Sequence, residues 1–487
     1  MNHSRETSLA LVTDLYQLTM AYGYWKQGRA DQQSVFHLFF RKCPFQGGYT
    51  VAAGLQQVLE FVRDFKFTNE DLTYLGGLQG NDRQPLFPAE FLDYLANLRL
   101  TVDIDAMPEG TVAFAHEPLL RVRGPILQCQ LLETALLNIV NFQTLIATKS
   151  ARICRAAGDD PVLEFGLRRA QGIDGGLSAT RAAYIGGCAA TSNVLAGKLF
   201  DIPVKGTHAH SWVMSFESES LAFEEYADAM PNNCVLLVDT YDTIEGVRKA
   251  VEVGKSLRAR GHELAGIRLD SGDLAYLSIA AREILDDAGF QNAAIVASND
   301  LDEHLIENLK QQGARISMWG VGTKLATAFD QPALGGVYKL GALQDTNGTW
   351  IPKVKLSEQL IKTSTPGILQ VRRIHDDCGA RADMVFNELL EPSKSMIDPL
   401  APTRRRTVDE FEKSEDLLQP VVAGGTVTAK SPSLSAVRER VREQLALFHP
   451  GVLRLKNPHR YPVGLEANLY DLKSQMVLAA RGHESEA

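Results

Sequence analysis

The sequence predicts an α/β protein: an irregular parallel α/β barrel, preceded by an N-terminal α+β domain and followed by a small C-terminal segment. Three observations predict it. Across residues 162–340, short apolar runs without polar alternation recur, as parallel strands do when both faces are covered. Amphipathic stretches of helix length separate them, which requires right-handed crossovers. Nearly every run also ends in a polar or glycine-containing group, the arrangement found where parallel strands present their carboxyl ends to a ligand.

Taken in order, the runs are V-L-E-F-G (162–166), I-P-V-K-G (202–206), V-L-L-V-D-T (235–240), G-I-R-L-D (266–270), A-I-V-A-S (294–298), I-S-M-W-G (316–320) and G-V-Y-K-L (336–340). Helices are expected between them at 243–260, 274–288 and 301–312. Seven runs in this span fall short of a regular eightfold barrel, which takes roughly 250 residues; hence the irregular form. Upstream, 15–26 and 55–65 read as helices and V-F-H-L-F-F-R-K (35–42) as a strand. Residues 112–116 and 119–122 read as a hairpin around Glu117-Pro118, and a long helix is expected from 130 to 151. Downstream, the charged stretch 404–416 and the loop-like 422–433 mark a composition shift, with a helix at 434–448. The resulting division is 1–125, 126–390 for the barrel and active site, and 391–487 packing on the N-terminal domain.

Composition narrows the function. The 487 residues exceed the size of one growing core. With 50 basic against 59 acidic residues the net charge is −9, which argues against nucleic-acid binding but not against a phosphorylated substrate held by local arginines. Six cysteines lie scattered without a C-x-x-C pair, so neither a zinc site nor a disulfide framework is expected. The first residues carry no apolar core of signal-peptide length, and no segment approaches the roughly 20 apolar residues of a membrane span. A cytoplasmic setting without membrane attachment is expected.

The strand ends carry the chemistry. Arg168 and Arg169 offer guanidinium forks for phosphate, or equally surface ion pairs. Asp270-Ser-Gly-Asp273 sets two carboxylates on a tight turn, suited to ribose hydroxyls or a magnesium-bound polyphosphate, and also to capping the next helix. Gly320-Val-Gly322-Thr323-Lys324 could cradle phosphate with bare amides, although it matches no nucleotide fingerprint. His208-Ala-His210 has three readings: metal ligands, structural histidines, or an imidazole acting as nucleophile toward phosphate. Metal ligation would need further histidines at later strand ends, where Asp, Ser and Gly stand instead.

At this point the residues resemble a known family. T-D-L-Y-Q (13–17), E-F-G-L-R-R-A-Q-G (164–172), G-T-H-A-H-S (206–211), G-I-R-L-D-S-G-D-L (266–274), and G-V-G-T-K with L-G-G-V-Y-K-L (320–340) are similar, in order, to the nicotinate phosphoribosyltransferases. The resemblance implies a type II phosphoribosyltransferase-like fold. It implies nicotinate, 5-phosphoribosyl 1-diphosphate and ATP as substrates, with Mg2+ carried by the diphosphate rather than by protein ligands. It also implies a homodimer with shared active sites. By the same resemblance His210 is phosphorylated by ATP and Asp239 orients it, while His208 falls at a variable position. Thr207 and Arg268 would contact nicotinate, which would stack between Phe165 and a Tyr16 lent by the partner subunit. Arg168, Gly320 and Gly322 would hold phosphate, Thr323 the phosphoribosyl donor and Asp270 the ribose, with Ser298 at the neighbouring strand end.

Matching V-L-A-G (194–197) to the related nicotinamide enzyme puts Asn193 where that enzyme carries an aspartate. A neutral Asn can donate to a carboxylate that an aspartate would repel, so Asn193 is expected to admit the acid. The rival readings are a nicotinamide or quinolinate enzyme and a non-catalytic relative.

Overall fold

The computed structural model describes residues 8–408 and 413–482, which fall into two compact units. The first comprises Met1–Thr144, Ala333–Ser433 and Glu439–Ala487; the second comprises Leu145–Pro332 and Leu434–Arg438. This cut differs from the three spans expected from the sequence. Residues 126–144 and 333–390 go with the first unit, and the start of the C-terminal helix goes with the second.

The first unit is built on an antiparallel sheet in the order Trp350–Pro352, Gly336–Gln344, Gln33–Phe40, Pro118–Pro125, Asp103–Ala106, Gln419–Ala423 and Thr426–Val427. The run at 336–340 therefore belongs here and not to the barrel. The strand is mostly half-buried, and a five-residue apolar run does not by itself tell an antiparallel strand from a parallel one, so the pattern could not separate them. The expected hairpin does not form either. Val112–Ala113 pairs with Thr50–Val51, while Pro118–Pro125 pairs with Gln33–Phe40. Between them the chain turns a corner: His116 has φ +71°, its N–H donates to Phe40 O, and the buried Glu117 carboxylate accepts from Phe114 N at 2.8 Å. The Phe114 ring stacks on Tyr461 at 4.2 Å, which gives the corner its own apolar anchor.

The C-terminal strands of this unit form a second sheet of six, whose longest pair is Leu369–Asp376 with Gly379–Asn387. The fully buried Arg373 is held bidentately by Asp383 across that pair.

The second unit holds the parallel sheet, in the order Ala190–Thr191, Val162–Glu164, Met318–Val321, Ala294–Ala297, Gly266–Leu269 and Val235–Leu237. The run at 202–206 contributes only a single parallel bridge, Val204 to Thr191. The two-residue strand Ala190–Thr191 is too short to register as an apolar run. Closure into an irregular barrel comes from a side chain: Leu237 N donates to His208 Nε2 at 3.2 Å, joining the end of the Val204 segment to the far edge of the sheet.

The crossover helices begin on strand-end polar residues. Asn193, Asp242, Asp273 and Asp302 cap Val194–Phe200, Thr243–Ala259, Leu274–Asp287 and Glu303–Gln311 by accepting from Ala196, Glu245, Tyr276 and Leu305 amides. Each cap contributes about 1 kcal/mol. Among the described residues no helix is long and apolar enough to cross a membrane.

Candidate active site

The carboxyl ends of the parallel strands bring the polar residues of this unit together in two groups. The first surrounds His210, which opens the short helix His210–Met214 and keeps its side chain 39 % exposed. Its Nδ1 lies 3.1 Å from the Thr240 hydroxyl and its Nε2 lies 3.7 Å from Asp270 Oδ2. Asp270 is shared: Ser298 Oγ donates to its Oδ1, and Arg268 Nη2 stands 3.9 Å from its Oδ2. Arg268 turns its Nη1 to the Thr207 hydroxyl and to His208 O at 3.3 Å, while its Nε is buried without an acceptor. Burial lowers the proton affinity of this guanidinium, with the Arg168 charge acting in the same direction and Asp270 and Asp239 opposing.

The expected contact between Asp239 and His210 is replaced by another. Asp239 Oδ2 accepts from Asp270 N at 2.8 Å and from Ser271 Oγ at 2.7 Å, so this carboxylate holds the 270–271 turn. The partners of the imidazole are Thr240 and Asp270. Asp239 Oδ1 remains buried with no hydrogen-bond donor. Asp273, the other carboxylate of the turn, is spent as the helix cap described above.

The two histidines of H-A-H part company. His208 is buried, packs edge-on against Tyr226 at 4.7 Å, and accepts the Leu237 amide on Nε2. Accepting there places the proton on Nδ1, and burial pushes its pKa down to about 4. It is a neutral structural histidine. His210, two residues on, faces the mouth.

The second group centres on Glu164, a residue to which the sequence reading gave no role. Its buried carboxylate accepts from Gly166 N, from Thr180 Oγ1 at 2.9 Å and from Thr191 Oγ1 at 2.6 Å. Asn193 belongs to this group. Its Oδ1 caps the helix, its Nδ2 donates to Thr180 Oγ1 at 3.2 Å, and the residue is 1 % exposed. Those bonds turn it into the protein, so the expectation that it meets a substrate carboxylate is at odds with this geometry.

Phe165, half-buried, lies against the glycine turn. A Cβ at Gly320 would sit 2.8 Å from its ring, and one at Gly322 would sit 3.0 Å from its carbonyl oxygen. These glycines are therefore required for close packing of neighbouring strands, whatever else their amides do.

Arg168 and Arg169 are exposed on the turn Leu167–Arg169. Thr323, half-buried, begins the helix Thr323–Ala326, and Lys324 is drawn away to Asp302 at 2.7 Å. Asn299 and Asp300, which follow Ser298, both have positive φ, +97° and +41°, a strained backbone of the sort that persists where the surroundings fix it. Tyr16 lies in the first unit on helix Leu15–Lys26, with its side chain half exposed.

Two contributors to these groups were missed: Thr240, and Glu164 with its threonines. The D-T of 239–240 offered a signal for the first. Nothing local marks Glu164, because its two hydroxyl partners are 16 and 27 residues away.

Comparison with known proteins covers nearly the whole chain. The family models described as the nicotinate phosphoribosyltransferase (NAPRTase) N-terminal domain, the nicotinate phosphoribosyltransferase (NAPRTase) family and the nicotinate phosphoribosyltransferase C-terminal domain match residues 11–141, 162–379 and 370–473. A nicotinate phosphoribosyltransferase of Bacillus subtilis is 44 % identical over 480 residues, covering 97 % of this chain and 96 % of its own. One from Dictyostelium discoideum is 39 % identical, covering 95 % and 87 %. The crystal structure of human nicotinic acid phosphoribosyltransferase superposes with a TM-score of 0.83 at 33 % identity, covering 96 % of this chain and 100 % of that one. A nicotinate-nucleotide pyrophosphorylase from Pyrococcus furiosus, at 22 % identity and TM-score 0.69 over 92 % and 98 %, shares the fold.

Proposed function

The chain belongs to the nicotinate phosphoribosyltransferase family, and from that premise we propose that it joins nicotinate to 5-phosphoribosyl 1-diphosphate with hydrolysis of ATP. The products are nicotinate mononucleotide and diphosphate, a step of NAD salvage carried out in the cytoplasm. The observation that carries this reading is the setting of His210: half exposed, Nδ1 against Thr240 and Nε2 beside Asp270, with the Thr207–Arg268 pair alongside.

With the Nδ1 proton donated to the Thr240 hydroxyl, the Nε2 lone pair is free to attack the terminal phosphorus of ATP, and ADP leaves; water then takes the phosphoryl group from Nε2 as inorganic phosphate and the imidazole is restored. Asp270, already between an imidazole and a guanidinium, is the carboxylate available to ribose hydroxyls. Breaking the bond from C1 to diphosphate builds positive charge on the sugar, so holding the ring nitrogen in line is the main task of the base site. Phe165 supplies one aromatic face. The Tyr16 of a second copy supplies the other in a homodimer with shared sites, each contact worth roughly 0.5–1.5 kcal/mol beyond burial. Arg268 and Thr207 take the nicotinate carboxylate, with Arg168, the Gly320–Gly322 turn and Thr323 on phosphate.

Mg2+ fits the residues present. The orphaned Asp239 Oδ1 and the neighbouring Asp270 give hard oxygen surroundings suited to such a cation, which would be carried by diphosphate rather than ligated by the protein alone. Its chemistry there is to neutralise the leaving charge.

A diphosphate-release assay tests the reading, run with nicotinate, nicotinamide or quinolinate, each with and without ATP. Nicotinate turnover stimulated by ATP is expected. ATP-independent turnover of quinolinate, or none with any base, would sink it.

A further inference from the structure

We propose that Cys154 and Cys188 form a thiol pair that a hydroperoxide converts to a disulfide, an oxidation site at the amino ends of the parallel strands, opposite the substrate rim. Cys154 lies near the end of helix Glu133–Ala157, and Cys188 lies in the turn that enters strand Ala190–Thr191. The Ser150 hydroxyl lies against both, 3.3 Å from Cys188 Sγ and 3.9 Å from Cys154 Sγ. Since Ser150 Oγ already donates to Ala183 O at 2.7 Å, it receives from the thiols.

The backbone is shaped to admit this contact. Gly187 has φ +122°, and a Cβ there would sit 3.2 Å from Cys154 Sγ; at Gly186 a Cβ would sit 2.6 Å from Ser150 Cβ. Side chains at either position would push the helix off the turn.

A cation completes the site. Arg438 donates to Gly187 O at 2.9 Å and lies 5.3 Å from the Tyr184 ring centre, yet its Nε is buried without an acceptor. A thiolate at Cys154 would balance that charge. The neighbouring Cys188 thiol, with the nearby Arg438 charge, holds the Cys154 thiol below the ordinary cysteine range against its burial. By contrast, burial pushes Cys43, Cys129 and Cys234 up to about 12.

The chemistry closes on two thiols and one peroxide. The Cys154 thiolate attacks a peroxide oxygen, the O–O bond breaks, and hydroxide leaves to take up a proton as water. The resulting sulfenic acid is attacked by the Cys188 sulfur, the S–S bond forms and a second water leaves. Two electrons pass from the thiols to the peroxide.

The test uses the purified full chain and a graded hydrogen peroxide series, followed by alkylation, non-reducing digestion and mass spectrometry. A peptide pair linking Cys154 to Cys188, lighter by the two thiol hydrogens and split by dithiothreitol, is expected before the exposed Cys378 is oxidised. In Cys188→Ser, oxidation is expected to stop at a Cys154 sulfenic acid trapped by dimedone. Oxidation of Cys378 while Cys154 and Cys188 remain separate thiols overturns the proposal without needing any variant to fold, and so does dimedone capture at Cys188 in the unaltered chain.

Discussion

The Glu164 side of the barrel rim and the His210 side both join carboxylates to hydroxyls, with Asn193 on the first and His210 and Arg268 on the second, and they use them in opposite ways. Around Glu164 the carboxylate takes an amide and two hydroxyls, and Asn193 uses both ends of its amide on a cap and a threonine. Around His210, Asp239 and Arg268 each keep one buried polar atom without a partner, and the imidazole and Asp270 face each other at 3.7 Å, beyond hydrogen-bond distance. A buried polar atom without a partner costs about 1–3 kcal/mol. The protein bears that cost on one side of its rim, and the unspent bonding capacity there is what a charged substrate can use. The satisfied side is a wall with its bonding capacity used up.

The contrast is sharpest between the two histidines. His210→Ala is expected to lower ATP-stimulated turnover by on the order of 10³-fold or more and to abolish acid-labile phosphate incorporation. His208→Ala should keep the incorporation and lose stability instead, because the Leu237 amide loses its acceptor. Equal loss of labelling in two folded variants would erase the distinction.

A pH titration of stability reads the same contrast by another route. Burial holds His208 and His116 at about 4 and His37 at about 3. Each is neutral in the fold, while the unfolded chain binds protons near the ordinary histidine value. Stability is therefore full above about pH 6.5 and falls as the pH drops toward 4, with His208 alone accounting for about 2 kcal/mol between pH 7 and 5. Thermal denaturation across this range should show a flatter acid limb in His208→Gln than in the unaltered chain.

Thr240→Val tests the new partner of His210. The expected result is roughly tenfold slower phosphorylation, about 1.4 kcal/mol, at an unchanged melting temperature. An unchanged rate would return the orienting role to Asp239.

The smallest effect is expected at Asn193. Asn193→Asp should leave the preference for nicotinate over nicotinamide as it is and lower the melting temperature, since a second carboxylate would enter the Glu164 group. A switch of substrate preference would mean that the satisfied wall reaches the substrate after all.

Legibility followed the range of the interactions. The helices at 15–26, 243–260 and 274–288 were readable to within a residue or so because periodicity and capping act over a few positions. The barrel rhythm was readable for the same reason. The partner of Gly336–Gln344, the failed hairpin at Val112–Ala113 and the strand Ala190–Thr191 were not, because pairing is chosen by tertiary contact among equally apolar runs. At the site, the residue types and their placement at strand ends were legible, and the hydrogen bonds among them were not.

What the sequence determined by itself is a chain of parallel βα units whose strand ends deliver Thr207, His210, Asp239, Arg268 and Asp270 to one rim. What only the tertiary structure decided is which of those polar atoms are used up. Thr240 rather than Asp239 meets His210, His208 closes the barrel, and Asn193 is turned inward. The physical reason is that residue type fixes what a side chain can bond to, while burial and the distance between segments far apart in sequence fix whether it does.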